Sequence, residues 1–401
     1  MISSAEQQKR IRKRYAAERR FKLYGVGALI AALLCLVVLL TDICSRGATA
    51  FFTTKLTVPV SFDTETLSLP ESPTLADLEN ADYYTTLNKA VYSLFPDAVE
   101  SSDKRAIKTL VSPLASMTLR QHLLENPDDL GKTIQVTVLA HSDVDQLVKG
   151  NVDRTLPEAR RKLNDKQLGY VDLLQRQGTI FTTFNWRFFT SGDSRMPEMA
   201  GIGGAILGSL FTLLVTLLLS FPVAVAAAVY LEQFAPKNKW TALIEVNINN
   251  LAAVPSIVFG LLGLGIFLNY FEMPRSTPLV GGVVLGLRAL PTIIVSARAA
   301  LKAVPPSIKE GALAMGASEM QAIFHHVLPL ALPGTLTGTI IALAQALGET
   351  APLLMIGMVA FIVDIPTSPL DPSSVLPVQI FLWAESAEPG FVEKTSAAIM
   401  T

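Results

Sequence analysis

Two opposite charges lie inside apolar runs of this chain, Arg288 within Leu279–Leu301 and Glu349 within Gly334–Val363, with the amide of Gln345 one helical turn before Glu349. A third run, Ile244–Leu268, carries Asn247, Asn249 and Asn250 near its start. A charge at the centre of a bilayer costs on the order of 3 kcal/mol unless it faces a cavity or a partner, so these side chains are the first candidates for function. Two readings are open for Arg288 and Glu349, each placed near the centre of its run. One is a path for an anion with Arg288 as the attractor. The other is an ion pair that locks helices together. Catalytic chemistry finds no comparable set. Gly131-Lys132-Thr133 has the end of a phosphate-binding loop, but Asn126 stands where the first glycine belongs. His122, His141 and the adjacent His325 and His326 have no cysteine or carboxylate cluster to complete a metal site, and neighbouring residues on a helix face different ways. No nucleophile, base and orienter can be nominated together.

The elements that must hold these residues follow from composition. Half of the 401 residues are hydrophobic, and 33 Lys and Arg against 34 Asp and Glu leave a net charge of -1. This describes an integral membrane protein with a sizeable polar portion. Five apolar runs approach or exceed the roughly 20 residues needed to cross a bilayer: Leu23–Ile43, Gly201–Tyr230, Ile244–Leu268, Leu279–Leu301 and Gly334–Val363. The tail 1–22 carries Lys9, Arg10, Arg12, Lys13, Arg14, Arg19, Arg20 and Lys22, and short basic segments beside a span stay in the cytoplasm. Beside a spanning helix such a tail meets anionic lipid, and no nucleic-acid partner is expected. Counting crossings from an inside start puts residues 45–197 outside, 232–241 inside, 269–278 outside and 302–333 inside. The chain ends at Thr401 just as another run, Ala397–Met400, begins.

The outer segment has no cysteine beyond Cys44, so its fold must rest on its own core. Apolar residues alternate over Leu56–Phe62 and Ile134–Val138, which predicts half-buried strands. A third strand is expected within Gly178–Thr190, and amphipathic helices over Leu87–Phe95 and Ile107–Leu124. Gly204 with Gly208, and Gly334 with Gly338, have the spacing that lets helices approach closely. Pro255, Pro291 and Pro352 interrupt apolar runs and free backbone carbonyls at depth, the signal either of broken helices at a transport site or of bent packing helices. The fold expected is an all-α polytopic membrane bundle over 200–401, preceded by a first span at 23–44 and an inserted α+β domain at 45–197.

One polar segment within the bundle has a more specific pattern. Glu310 to Pro329 reads EGALAMGASEMQAIFHHVLP, and it resembles the cytoplasmic docking loop of ABC importer permeases. Glu310, Ala312, Gly316, Leu328 and Pro329 fall in register with that motif, whereas Gly311 and His326 depart from it. The blocks NINNLAAVPSIVFGLLGL at 247–264 and GETAPLL at 348–354 look like signatures of one branch, the PstA family of phosphate permeases. The resemblance runs from about Gly201 to Gly390. It implies six spans, the last cut short here, and a bacterial inner-membrane subunit that binds no cofactor itself. It also implies a homologous PstC-like permease, two PstB-like ATPases that use ATP and Mg on the cytoplasmic side, and a periplasmic PstS-like phosphate-binding protein. Many members carry an arginine where this chain has Gln345, so Arg288 is a candidate to compensate. A permease for sulfate or molybdate would keep the docking loop but lack the two blocks. A membrane-anchored sensor would need a cytoplasmic output domain, and no segment assigned to that side is long enough.

Overall fold

The computed structural model describes residues 4–70 and 73–401, without the side chains of residues 4–11; residues 1–3 and the side chains of Lys9 and Arg10 in the basic tail lie outside the described residues. Helix α1 (Ser4–Gly47) joins the tail and the first apolar run without a break. The inserted domain follows as β1 (Phe52–Ser61), α2 (Leu75–Glu79), α3 (Tyr83–Ser93), α4 (Ser101–Lys108), α5 (Ala115–Glu125), β2 (Thr133–Leu139), α6 (Ser142–Val148), α7 (Asp165–Arg176), β3 (Ile180–Phe184) and α8 (Trp186–Thr190). Its sheet is antiparallel with order β2-β1-β3, and Val58 faces Val136 while Lys55 faces Phe181. The alternation in β1 turns Leu56, Val58 and Val60 into a core shared with Leu119, Leu123, Val171 and Leu174. The opposite face of β1, with Lys55 and Thr57, stays partly open.

The single helix expected over 107–124 is two helices. Pro113 has no N–H and disfavours a helical residue before it, so the chain between α4 and α5 extends instead. There Ser112 donates its backbone N–H to Leu139 at 3.0 Å, and Val111 bridges Ala140.

The bundle comprises α9 (Gly203–Val229), α10 (Lys239–Ala252), α11 (Ser256–Leu262), α12 (Pro278–Ala303), α13 (Pro306–Ala314), α14 (Glu319–Ala322), α15 (Leu328–Leu347), α16 (Ala351–Met355), α17 (Leu376–Ala384) and α18 (Gly390–Met400). Among the described residues, four helical stretches are long and apolar enough to cross a membrane: Arg12–Phe51, Gly203–Phe234, Pro278–Ala303 and Glu319–Leu347. The run at 244–268 is bent by 101° between α10 and the stretch beginning at Ser256, because Pro255 cannot continue the helical hydrogen bonding. Pro291, by contrast, lies inside a continuous α12. The last long run is displaced from the range expected. Its helix starts at Leu328 and stops at Leu347, and Pro352 enters in the first turn of the short α16. Gly334–Val363 is therefore not one span.

Packing of α9 on α12 rests on glycines that spacing alone does not single out. A Cβ on Gly282 would meet Val215 Cβ at 2.5 Å and the Thr212 carbonyl oxygen at 2.8 Å. The Thr216 hydroxyl donates to the Gly282 carbonyl at 3.1 Å. Of the spaced pairs, Gly338 packs on Ser296 of α12, whereas Gly208 receives the backbone of Ser374. Gly282→Val is expected to lower stability by about 1–3 kcal/mol through overpacking. Thermal unfolding of the purified protein checks this, and an unchanged midpoint would show that α9 and α12 are free to separate.

A buried ionic cluster fastens the inserted domain to α18. Lys149 Nζ lies 2.6 Å from Asp145 and 2.8 Å from Glu393. Glu393 also accepts from the Thr49 hydroxyl at 2.7 Å, and Asp145 accepts from the Thr54 backbone N–H at 2.8 Å. Lys394 donates to the Ala200 carbonyl at 2.7 Å and lies over the Phe188 ring. Burial pushes its ammonium down to about 8, although Glu393 opposes the shift. Charges this deep persist only when paired and hydrogen-bonded, so the cluster specifies one seating of the domain.

Candidate functional site

The polar segment 302–333 folds as helix, turn, helix. Pro305 and Pro306 start α13, Pro306 standing in its first turn where a missing N–H costs nothing. The helix ends at Gly316, whose φ is +89°. The Gly316 N–H donates to the Leu313 carbonyl at 3.0 Å and the Ala317 N–H to the Ala312 carbonyl at 3.1 Å. That pair of bonds is a Schellman motif, and its left-handed residue is nearly always glycine. The Ser318 hydroxyl caps α14 while Gln321 returns to the Ser318 N–H. The chain then passes through a π-helical turn at Ile323–Val327 into α15.

Of the motif residues, Glu310, Gly311, Gly316, His326 and Pro329 are exposed, and Ala312 and Leu328 are half-buried. No other group lies within 4 Å of a Cβ placed on Gly311 or Gly316. Leu313, Met315, Met320 and Phe324 are exposed as well, Met315 to 89%. An apolar surface carried on two short helices invites a partner more than solvent. Beneath it, a cleft of about 520 Å³ is lined by Glu232, Lys302, Lys309, Glu310 and Glu319.

What holds this segment to the bundle is a network that the sequence reading passed over. Arg298 on α12 reaches Glu245 on α10 at 2.7 Å and Glu232 at 3.5 Å, and Lys302 lies 3.6 Å from Glu232. Lys309 of α13 donates to Gln233 at 3.4 Å. Arg298 had the same signal as Arg288, a charge inside an apolar run. Its partners stand at the ends of two other runs, which local patterning does not connect.

The second candidate, among the residues at depth, is resolved into a contact. Arg288 on α12 forms an ion pair with Glu349, which stands in the turn after α15 rather than near the centre of a span. Gln345 lies a turn earlier and is exposed. The asparagines are not drawn into this pair. Asn247 donates to the Leu243 carbonyl of its own helix at 2.8 Å, and Asn249 and Asn250 are exposed. Ile248 between them packs beside Ala289, Ile293 and Ile294 of α12. Because Glu245 meets Arg298 and Ile248 meets residues nearer Arg288, α10 runs antiparallel to α12. Among the described residues no group of three His, Cys, Asp or Glu side chains is placed to hold a metal ion.

Residues 199–368 match the family described as binding-protein-dependent transport system inner membrane component. Residues 8–158 match a domain of unknown function, DUF3333. Among curated relatives, the phosphate transport system permease protein PstA of Yersinia pestis is 31% identical over 256 residues, 58% of this chain and 85% of its own length. The probable ABC transporter permease protein YqgI of Bacillus subtilis is 32% identical over 170 residues, covering 42% of this chain and 58% of its own. The probable phosphate transport system permease protein PstA of Methanocaldococcus jannaschii is 32% identical over 186 residues, 46% of this chain and 65% of its own. The chain thus spans less than two thirds of the length of the last two relatives.

Proposed function

The chain belongs to the family of binding-protein-dependent transport system inner membrane components, and we propose that it is the permease subunit of an ATP-driven importer of inorganic phosphate. Family and apolar helices together make it a multi-pass inner-membrane protein. The observation that carries the transport reading is the helix–Schellman–helix segment at 306–329, which presents an apolar surface from a base fixed by Arg298, Glu232 and Glu245. In this reading Glu310, Gly311, Ala312, Gly316, His326, Leu328 and Pro329 form the docking element for an ATPase, whose closure rocks α12 and α15 through that base. This subunit binds no cofactor, and ATP with Mg is used by the partner.

The basic tail lies in the cytoplasm and the inserted domain on the opposite, periplasmic side. A second, PstC-like permease completes the path, two PstB-like ATPases drive it, and a PstS-like binding protein delivers phosphate. The path runs by Arg288, Glu349 and Gln345, with Asn247, Asn249 and Asn250 on the adjoining helix. The phosphate-permease names of the relatives support the cargo.

In a strain lacking its own phosphate permease, expression of this chain with its partner subunits is expected to restore uptake of radiolabelled phosphate. Excess sulfate or molybdate should leave that uptake unchanged. Recovery of sulfate uptake without phosphate uptake would refute the cargo assignment.

A further inference from the structure

We propose that the inserted domain holds a binding site for a phosphate-type oxyanion, in the cleft between the polar face of its sheet and α8. The cleft encloses about 420 Å³ and is lined by Lys55, Arg187, Thr53, Thr118, Thr137 and Ser191, with no carboxylate in its wall. The strand register makes this set. Leu56 and Val58 turn into the core, so Thr53 and Lys55 take the other face of β1, and Thr137 joins them because it stands opposite Thr57.

Several cations of this domain, Lys149, Arg154, Arg161, Lys162 and Lys166 among them, take a carboxylate. Lys55 and Arg187 form no ion pair among the described residues, and the one side-chain polar contact of Arg187 is to the sulfur of Met199 at 3.6 Å. Thr53, only 5% exposed as a residue, lines the cleft beside them, and a hydroxyl there can donate to an anion.

Two cations and several hydroxyl donors without an opposing carboxylate suit a tetrahedral oxyanion, which an arginine fork can grip by two oxygens. The volume leaves room for an ester group. Phe184 and Trp186 also line the cleft, exposed to 41% and 70%, and Phe184 packs on Phe52 just beyond the end of the first span. Exposed aromatic side chains at that level are typical of a membrane interface. The same phosphate chemistry therefore has two sources, free phosphate and the headgroup of an anionic phospholipid. The site does not depend on the transport reading, since every lining residue belongs to the inserted domain.

The test uses the full chain in a phosphate-free detergent. Inorganic phosphate binding is measured by equilibrium dialysis, and retention of added phosphatidylglycerol by native mass spectrometry. Lys55→Gln combined with Arg187→Gln is expected to weaken one of the two by at least about tenfold, the order expected for losing charge-assisted hydrogen bonds, with the melting temperature kept. Thr137→Glu places a carboxylate at an exposed rim position and should act the same way, which covers a destabilised double variant. Loss of phosphate binding alone assigns the free ion, and loss of lipid retention alone assigns the headgroup. Neither probe binding, or both binding undiminished in both variants, overturns the site.

Discussion

A Glu349→Ala variant that keeps Arg288 is expected to lose about 1–3 kcal/mol of stability and most of its phosphate uptake. Removing one member of a buried ion pair costs about 3–5 kcal/mol because the remaining charge has no partner. Side-chain exposures of 26% for Arg288 and 20% for Glu349 let water screen part of that cost, which lowers the figure to the smaller range. The pair joins α12 to the turn that ends α15, so its loss also frees that turn beside the proposed path. The charge-reversed pair, Arg288→Glu with Glu349→Arg, separates the two readings of these residues. Recovery of both melting temperature and uptake makes the pair a lock between helices. Recovery of stability without uptake makes the sign of the charge at 288 part of anion passage. An unchanged melting temperature together with unchanged uptake for Glu349→Ala would show that the pair contributes to neither.

The second large effect is expected at Gly316. Valine there must adopt a φ near the +89° of the glycine, a conformation that costs an ordinary residue on the order of 1–2 kcal/mol and a β-branched one more. No neighbour lies within 4 Å of the added Cβ, so the strain acts on the turn and not on the bundle. The turn then relaxes and α14 changes direction relative to α13. Phosphate uptake in assembled vesicles should fall at least about tenfold (about 1.4 kcal/mol of coupling), while the ATPase subunits still hydrolyse ATP and the chain still inserts. Gly169→Ala is the matched control. Gly169 lies inside α7, away from the docking element, with no other group within 4 Å of its Cβ, and alanine in a helix interior gains roughly 0.5–1 kcal/mol over glycine. It should support full uptake. Uptake retained by Gly316→Val would remove the Schellman turn from the coupling route.

Much of the site was legible because its signals are local. Gly316 stands out in a polar segment between apolar runs, and its left-handed φ is what a glycine at a helix end predicts. The strands of the inserted domain followed from an alternation that one-sided burial imposes. Pro255 marked the 101° bend because a missing N–H acts where it stands. Pro291 did not act that way, since the packing around α12 keeps that helix continuous. The last long helix was displaced for a related reason. Hydropathy measures apolar content, and Gly348–Val363 is apolar without being a regular helix, while the polar turn before Leu328 is helical.

By itself, then, the sequence determined the class of the protein, the approximate places of its spans, the strand faces of the inserted domain and the position of the helix–turn–helix segment. Each depends on residues within a few positions of one another. Only the tertiary structure decided that Arg288 takes Glu349, that Arg298 gathers Glu232 and Glu245, and that Lys149 meets Glu393 across 244 positions of chain. It alone left Lys55 and Arg187 together without a carboxylate. The physical reason is that a buried charge must find its opposite wherever packing brings one, and packing is set by the whole chain, whereas periodicity and backbone preference are settled within a turn or two.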